Sequence, residues 1–322
     1  MSKILKIVGL LILLIIDLLL VVPLIIPIPP LENVQPVIEL ADPDSRFTSI
    51  DNIQFHYKTA GSGDTTLVLL HGFGASLYSW REVMPALAEE YQVFAYDRPA
   101  FGLTERPTSW TGINPYHQQA SIEQLNQLLD AWGLQTVILI GNSAGGQTAM
   151  EFTLAHPDRV EALILVSPAV SDRNTYAAKH PNLIILPQVQ RLGPLLVRRI
   201  ADTGLETIDQ AWHDPSRQPE DTIPLYTKPL KAENWDLALW HYSTGDETSD
   251  LPSRLDEFTL PILLITGDDD RIIPTENTIA LQQQLATADL AILPDCGHVP
   301  QEECPAAFLE VVNHFLDQLK GQ

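Results

Sequence analysis

The sequence predicts an α/β fold in which a mostly parallel, eight-stranded sheet is flanked by helices. Eight short apolar runs are spaced along the chain, and helix-length segments alternate with most of them. Some runs, such as Val137–Ile140, are unbroken aliphatic stretches, which is typical of strands buried on both faces of a parallel sheet. The 322 residues accommodate one such domain with an insertion, or two domains.

The composition excludes one class of partner and bears on the cysteines. The net charge is −22, and no basic cluster is available to neutralise phosphates, so we expect no nucleic acid partner. Two cysteines, Cys296 and Cys304, are too few for a disulfide framework. They could pair with each other, but a domain of this size does not need a disulfide, and we expect two free thiols.

The N-terminus predicts a helix that crosses a membrane. Only Gly9 and Asp17 interrupt the aliphatic run Ile7–Val22, which with its flanking residues approaches the ~20 residues that span a bilayer. An aspartate at a helix centre costs about 2.5–3.5 kcal/mol, but each aliphatic residue contributes roughly −0.3 to −0.6 kcal/mol, so insertion stays favourable. A stiff, extended spacer follows, with prolines at four positions: Pro23, Pro27, Pro29 and Pro30.

A cleavable signal peptide is the alternative for this segment. It would have a shorter apolar core and small residues for cleavage, whereas no alanine precedes Ala41. We therefore expect an uncleaved anchor. Lys3 and Lys6 precede the apolar run, and Glu32 is the first charged residue after it. The positive-inside rule then places the N-terminus in the cytoplasm and the rest of this single-pass chain outside the cytoplasm.

The first half of the domain contains a glycine loop at the end of a buried strand. The strand Thr66–Leu70 leads into His71–Gly72–Phe73, where glycine allows the backbone to approach a ligand closely. Upstream, Asp51–Asn52 is a hairpin signal between two short strands. The other elements predicted in this half are the helix Leu77–Glu89, the strand Tyr91–Tyr96, the helix Tyr116–Trp132 and the strand Val160–Val166.

A more specific motif follows the strand Val137–Ile140. Residues 141–145 read Gly-Asn-Ser-Ala-Gly and fit the pattern G-x-S-x-G, and a helix is predicted to continue to Ala155. The serine of this pattern sits on a strained turn, and the small residues on either side let strand and helix pass closely. Free N–H groups at the start of the helix then point at Ser143. This favours a nucleophilic serine; the alternative is an ordinary strand–helix turn that contains a serine.

The alternation of strands and helices stops between Ala169 and about Leu251. This segment is rich in proline, and its apolar runs are short, so we expect several short helices that form a cap over Ser143. The elements predicted after it are the strand Pro261–Gly267, the helix Thr275–Ala286, the strand Asp289–Leu293 and the helix Pro305–Leu319. Polar residues follow the two strands, as Asp268–Asp269–Asp270 and as Gly297–His298.

The motifs resemble those of the α/β-hydrolase fold family over about Arg46–Leu319. The resemblance implies a catalytic triad in the family's chain order, nucleophile, acid and base, with an oxyanion hole formed by two backbone N–H groups. The residues implied are Ser143, Asp270 and His298 for the triad, and Phe73 and Ala144 for the oxyanion hole. No metal and no organic cofactor is expected in such a site.

Three neighbouring positions bear on this assignment. The family pattern G-x-x-D-x-x-x-P selects Asp270, while Asp268 and Asp269 stay open as alternatives. We expect His71 to be a buried histidine that stabilises its loop and not the base. Asp97 begins a segment similar to the family turn D-x-x-G-x-G-x-S/T, and we assign it a structural role.

The resemblance implies four parts of the chain and a class of function. The parts are an anchor with its spacer (1–30), the first half of the core (31–168), the helical cap (169–251) and the second half of the core (252–322). We expect a membrane-anchored serine hydrolase that cleaves a carboxylic ester or a lipid-like acyl substrate. Its oligomeric state is left open.

Three alternatives to an ester hydrolase stay open. Residues 141–146 resemble the G-N-S-x-G-G of meta-cleavage carbon–carbon hydrolases, although Val299 stands where those enzymes usually have tryptophan. A haloperoxidase-like activity would use the same triad. The same fold also serves as a non-catalytic binding module, although such proteins usually lose a triad member.

Overall fold

The structure is a computed structural model that describes residues 3–170, 181–245 and 249–321. Residues 171–180 and 246–248, which belong to the predicted cap, lie outside the described residues. The division of the chain at residues 30, 168 and 251 stays a prediction.

The eight predicted strands form a single sheet in the order β1-β2-β4-β3-β5-β6-β7-β8. The strands are β1 (Arg46–Ile50), β2 (Ile53–Ala60), β3 (Thr66–Leu70), β4 (Gln92–Tyr96), β5 (Val137–Asn142), β6 (Val160–Val166), β7 (Ile262–Gly267) and β8 (Ala288–Leu293). β2 pairs antiparallel with β1 and β4, and all other neighbours pair parallel. The predicted fold class is confirmed.

Helices cover both faces of the sheet. Side chains of β3 point alternately to the two faces and show that the core is divided into two clusters. Val68 and Leu70 belong to one buried cluster, and Leu67 and Leu69 belong to the other. The α-helices of the described residues are Lys3–Ile25, Met84–Leu87, Gln118–Ala131, Ala144–Ala155, Pro181–Ile184, Pro187–Ala211, Thr222–Thr227, Trp235–Ser243, Thr275–Gln282, Pro300–Glu303 and Pro305–Lys320. Because strands β3 to β8 run parallel, the loops at their carboxyl ends lie at one edge of the sheet. The candidate site lies at this edge.

The prediction of a single helix over Leu77–Glu89 is wrong. The segment forms a 3₁₀ turn at Leu77–Trp80 and a short helix at Met84–Leu87. The backbone N–H of Leu77 donates to the carboxylate of Asp97 over 2.7 Å, which fixes the start of the segment to the sheet. Burial of Trp80 and Leu87 against the second core cluster therefore outweighs the helical periodicity of the sequence.

The cap contains a helix much longer than predicted. The long cap helix, Pro187–Ala211, has 25 residues and includes Pro194. A proline inside a helix costs about 3 kcal/mol or more. Packing on the helix Trp235–Ser243 opposes that cost: Val197 is buried, and the ring of Trp240 lies 2.1 Å from where a Cβ on Gly193 would stand. The prediction of short helices alone was wrong.

The N-terminal helix, Lys3–Ile25, has 23 residues, none of them buried. Its mean hydropathy reaches 3.1, so by length and composition it is a candidate membrane span or a signal sequence. The residues after it pack on the cap: Leu31 and Val34 contact the apolar cap cluster, and Gln35 forms a parallel bridge with Ala232.

The expectation of two free thiols was wrong, because Cys296 and Cys304 form a disulfide. Their Cα atoms lie 6.3 Å apart, within the range that a disulfide bridges. The turn after β8 and the short helix Pro300–Glu303 fold back on each other and bring the two residues together. The spacing of the two cysteines in the sequence does not reveal that the chain folds back between them.

Candidate active site

Ser143 stands between β5 and the elbow helix, Ala144–Ala155, in a backbone conformation that non-glycine residues rarely adopt. Its φ is 53°, and its N–H donates to the carbonyl of Val166 over 2.8 Å. The helix passes so close to β3 that a Cβ on Gly145 would lie 2.3 Å from the carbonyl oxygen of Leu70. Only glycine fits there, which is the steric reason for the small residues of the motif.

The structure pairs Asp270 with His298. Nδ1 of His298 lies 2.8 Å from Oδ2 of Asp270, and the aspartate side chain is fully buried. Oδ1 of Asp270 accepts the backbone N–H groups of Ile272 and Ile273 over 2.9 and 2.8 Å, which fixes the carboxylate plane. With Nδ1 donating to the carboxylate, Nε2 of His298 is left as a proton acceptor.

The other two aspartates of the turn have different partners. Asp269 is paired with Arg271 and with His213, whose Nδ1 lies 2.9 Å away. Asp268 accepts the backbone N–H of Cys296 over 3.4 Å. Of the three candidates, Asp270 is therefore the one that contacts the histidine.

Ser143 and His298 line the same cavity. Within the described residues, the hydroxyl of Ser143 and the imidazole of His298 are not hydrogen-bonded to each other. Such contacts are often long in unliganded enzymes and tighten when substrate binds. Phe73 also lines the cavity, and Ala144 is the first residue of the elbow helix, where N–H groups lack partners within the helix.

The cavity has a volume of about 250 Å³ and is walled by both the core and the cap. The core contributes the two loops around Gly72–Ala75 and Ala100–Gly102. The residues that the cap contributes are Gly204, Thr207, Ile208, Ala211, Tyr226, Thr227, Pro229, Leu230, Trp235 and Leu239. The cavity is thus mostly apolar and includes Ser143 in its wall, as expected for a site that receives an apolar substrate group.

Backbone and side-chain contacts hold the turn of His298 from three sides. Its N–H donates to the cap carbonyl of Ala211 over 2.7 Å, and its carbonyl accepts from Nδ2 of Asn142 over 3.2 Å. The buried carboxylate of Glu303 accepts the N–H groups of Gly297 and of the cap residue His213 over 2.7 and 2.9 Å. Sequence reasoning missed Glu303, because nothing in the sequence places residue 213 beside residue 297.

A second histidine–carboxylate pair joins β2 to the turn that follows β4. Nδ1 of His56 lies 2.7 Å from Oδ2 of Asp97, and its Nε2 lies 2.7 Å from Oγ of Ser45. Asp97 also accepts the N–H groups of Leu77 and Leu103 over 2.7 Å. Burial acts to raise the pKa of Asp97, but the hydrogen bond and charge of His56 hold that pKa below its ordinary value. The structural role predicted for Asp97 is confirmed.

His71 is buried beside the site and serves its loop. Its Nδ1 donates to the carbonyl of Gly72 over 2.7 Å, and its Nε2 accepts the N–H of Arg98 over 3.1 Å. Burial, assisted by the positive charge of Arg98, lowers the pKa of His71 to about 4. Both ring nitrogens are occupied, so the predicted loop-stabilising role is confirmed.

Arg106 is a cavity-lining cation that sequence reasoning missed. It is only 3% exposed, and its guanidinium donates to the carbonyls of Gly102 and Thr104 over 2.7 and 3.2 Å. Burial lowers its pKa to about 10. None of the described carboxylates forms an ion pair with it. Within the same residues, no cluster of three or more His, Cys, Asp or Glu side chains has the arrangement of a metal site.

The sequence of residues 65–305 matches the family model of the alpha/beta hydrolase fold. The chain belongs to the α/β-hydrolase fold family. This confirms the family that the motifs resembled, and the chain is a hydrolase of this fold.

Two curated proteins and one solved structure are similar to this chain. The uncharacterized hydrolase YugF of Bacillus subtilis (strain 168) is 28% identical over 281 residues, which cover 87% of this chain and 100% of that protein. The 2-hydroxy-6-oxononadienedioate/2-hydroxy-6-oxononatrienedioate hydrolase 1 of Dechloromonas aromatica (strain RCB) is 31% identical over 283 residues, 82% and 91% of the two chains. The crystal structure of a membrane phospholipase A has a TM-score of 0.68 at 24% identity and covers 100% of both chains, a likeness of fold.

Proposed function

We propose that the protein is a membrane-anchored serine hydrolase that cleaves a carboxylic ester or a lipid-like acyl substrate through an acyl-enzyme. One observation carries the proposal. Ser143, on its strained elbow, shares an apolar cavity with His298, whose other nitrogen is fixed by the buried Asp270. A nucleophile, a base and an orienting acid at the ends of three strands are the components that acyl transfer requires.

The reaction begins when Nε2 of His298 accepts the proton of Ser143 Oγ as this oxygen attacks the substrate carbonyl. Asp270 orients the imidazole through Nδ1 and stabilises its charged form. The N–H groups of Phe73 and Ala144 stabilise the oxyanion of the tetrahedral intermediate. His298 then gives the proton to the leaving alkoxide, which leaves an ester between Ser143 and the acyl group. Water, activated by the same imidazole, hydrolyses that ester and restores the serine.

The cavity wall supports an apolar acyl group as the part of the substrate that is bound. Ile208, Leu230 and Leu239 of the cap and Phe101 of the core line it, so that an alkyl chain placed there is removed from water. Each buried methylene contributes about 0.8 kcal/mol. A longer acyl chain should therefore bind more tightly until the cavity of about 250 Å³ is full.

The N-terminal helix is proposed to be an uncleaved anchor, with the hydrolase outside the cytoplasm. Lys3 and Lys6 stand at its start, before the apolar run, and Gln188 of the cap donates to the carbonyl of Leu20 within it, a contact that cleavage after the helix would remove. The disulfide between Cys296 and Cys304 supports the same topology, because disulfides persist in oxidising compartments. Protease treatment of intact spheroplasts tests it: the hydrolase domain should be digested from outside, and protection of the domain would refute the topology.

A carbon–carbon bond hydrolase is the second candidate. A relative 31% identical to this chain carries the name of a hydrolase of 2-hydroxy-6-oxo dienedioates. Arg106, a buried cation in the cavity wall without a carboxylate partner among the described residues, would suit an anionic substrate. Against this candidate stands Val299, which lines the cavity where the carbon–carbon hydrolases usually have tryptophan.

A panel of substrates separates these candidates. Turnover of p-nitrophenyl esters of increasing acyl length is measured beside turnover of a 2-hydroxy-6-oxo dienedioate, with Ser143→Ala as the control. We expect esters to be cleaved at the higher kcat/KM, with an optimum at a medium or long acyl chain, and no turnover by the variant. Preference for the dienedioate would replace the ester assignment with the second candidate. No turnover of either class would favour a non-catalytic binding module.

A further inference from the structure

The long cap helix contacts the end of the N-terminal helix and the spacer at three successive levels. Nε2 of Gln188 donates to the carbonyl of Leu20 over 2.9 Å. Farther along, Arg191 donates to the carbonyl of Ile26 over 2.9 Å, and Arg198 donates to the carbonyl of Pro29 over 2.8 Å. The two segments therefore run side by side, and each level of the cap helix is matched to a level of the N-terminal segment.

This match fixes the depth of the cap relative to a membrane that the N-terminal helix spans. Leu20 lies inside the helix Lys3–Ile25, five residues before its end. At 1.5 Å per residue, Gln188 is then level with a point about 8 Å below the end of the helix. The carbonyl of Leu20 belongs to an aliphatic stretch that would lie in the hydrocarbon region, so the start of the cap helix reaches the same layer.

The cap residues at that level are apolar and exposed. Leu183, Ile185 and Leu186 immediately precede the helix and are 40%, 71% and 42% exposed, and Leu196 is exposed farther along it. Exposed apolar side chains that are grouped together mark a surface that another apolar phase covers. In this chain the group lies next to the one helix of the described residues that could span a membrane.

The charged residues of the same surface lie at the level where a membrane ends. Arg191 and Arg198 bind the carbonyls of Ile26 and Pro29, and no acidic residue stands between Asp17 and Glu32. Arginine extends its apolar stem along the acyl region and keeps the guanidinium among headgroups. Arg198 is paired with the carboxylate of Asp236 over 2.8 Å, so Arg191 is the cation that we expect to attract anionic headgroups, by about 1 kcal/mol.

We propose that the cap surface formed by Leu183, Ile185, Leu186, Arg191, Leu196 and Arg198 lies in the bilayer leaflet into which the N-terminal helix ends. Leu183, Ile185 and Leu186 contact acyl chains, and Arg191 contacts headgroups. Leu196 and Arg198 lie beyond Arg191 along the helix and mark the outer limit of the headgroup layer. The proposal rests on the anchor of the proposed function and goes beyond it, because an anchor and a spacer alone would let the hydrolase stand away from the membrane. The same helix continues to Thr207 and Ile208, which line the cavity, so a lipid of that leaflet is the substrate source nearest to the site.

The experiment uses the full chain in phosphatidylcholine–phosphatidylglycerol vesicles with a bimane label at Leu186→Cys. Ile292→Cys on β8 is the matched control, because Leu186 and Ile292 are both aliphatic and both 42% exposed. The native cysteines are joined in a disulfide and do not compete for the label. We expect acyl-chain nitroxide lipids to quench the Leu186→Cys label at least twofold, and iodide to quench it at least threefold less than the control label. Equal behaviour of the two labels would overturn the proposal.

A second variant and an extraction step keep the outcomes distinct. Ile185→Cys, at the most exposed position of the surface, should behave like Leu186→Cys, and circular dichroism checks that each variant is folded. If alkaline carbonate leaves the chain in the vesicles while both labels stay open to iodide, the anchor stands and the cap surface is refuted. If carbonate releases the chain, the anchor of the proposed function fails, and the cap surface fails with it.

Discussion

His56 and His298 stand in closely similar pairs at two places of the molecule. Nδ1 of His56 lies 2.7 Å from a carboxylate oxygen of Asp97, and Nδ1 of His298 lies 2.8 Å from one of Asp270. Both carboxylates are fully buried. The first pair even has a serine in place, since Nε2 of His56 lies 2.7 Å from Oγ of Ser45.

The surroundings of the two serines differ. Ser45 belongs to a turn, where its Oγ also accepts the N–H of Asp42 over 3.0 Å, and it is not part of the cavity wall. Ser143 has a φ of 53°, stands before the first N–H groups of a helix and lines the cavity. A serine, a histidine and an aspartate in hydrogen-bond order therefore do not identify a site. Access for a substrate and donors for an oxyanion distinguish the second set from the first.

The largest effect is expected when the two aspartates are compared as Asp270→Asn and Asp97→Asn. Asp270→Asn should lower kcat by about 10³–10⁴-fold and leave the fold intact, because the imidazole loses its correct tautomer and orientation. Asp97→Asn should instead destabilise the protein by about 3 kcal/mol, because the buried carboxylate that accepts from His56, Leu77 and Leu103 is replaced by an amide that cannot accept at both positions. Ester turnover and urea midpoints of the detergent-solubilised full chain measure the two effects. The comparison breaks down if Asp97→Asn impairs kcat of the folded fraction as strongly as Asp270→Asn does.

A moderate effect is expected from the disulfide, which supports only one of the two histidines. His56 lies within β2, whereas His298 lies in a turn enclosed by Cys296 and Cys304. Removing the cross-link of this short loop by Cys296→Ser with Cys304→Ser should cost about 2–3 kcal/mol. The turnover should also fall, while Ser45 and His56 stay unaffected. Thermal unfolding and ester kinetics, with and without the substitutions, are the measurements; an unchanged melting temperature would contradict the supporting role.

A pH effect is expected from His71, a third buried histidine. Its pKa is lowered from 6.5 to about 4, so between these values the unfolded chain binds a proton that the folded chain does not. Stability contributed by neutral His71 is complete above about pH 6.5 and is lost as the pH falls towards 4. By pH 5 the loss should be about 2 kcal/mol. Urea midpoints at pH 7 and 5 should fall less in His71→Gln than in the unchanged chain; equal slopes would show that His71 titrates normally.

The smallest effect is expected at Ala100, in the loop that joins Asp97 to the cavity. Its φ is 76°, which glycine adopts freely and alanine does not. The family usually has glycine at this place, and Ala100→Gly should stabilise the fold by about 1 kcal/mol through relief of that conformation. A rise in melting temperature of a few degrees is expected. A lower melting temperature would mean that burial of the Ala100 methyl group against the cap stabilises the fold by more than its positive φ destabilises it.

Sequence reasoning located the candidate site because its residues follow directly from strands. Ser143, Asp270 and His298 each stand just beyond an apolar run, and parallel strands bring such positions to one edge. The glycine spacing around Ser143 reflects a local steric demand, as the contact between Gly145 and Leu70 demonstrates. Sequence motifs whose geometry depends on a few neighbouring residues could therefore be interpreted without the structure.

The features that were missed depend on contacts outside the local secondary structure. The return that joins Cys296 to Cys304, the contact of Glu303 with His213 and the burial of Arg106 all require the completed fold. The long cap helix was missed because its cost at Pro194 is offset by packing on another helix. The helix propensities of single residues do not include the stabilisation that comes from packing on another helix.

The central claim is that Ser143, and not Ser45, is the nucleophile. A fluorophosphonate probe reacts with an activated serine, so labelling of the full chain is compared with labelling of Ser143→Ala and Ser45→Ala. We expect the unchanged chain and Ser45→Ala to be labelled at similar rates, and Ser143→Ala not to be labelled. Labelling that survives in Ser143→Ala, or that is lost in folded Ser45→Ala, would contradict the account.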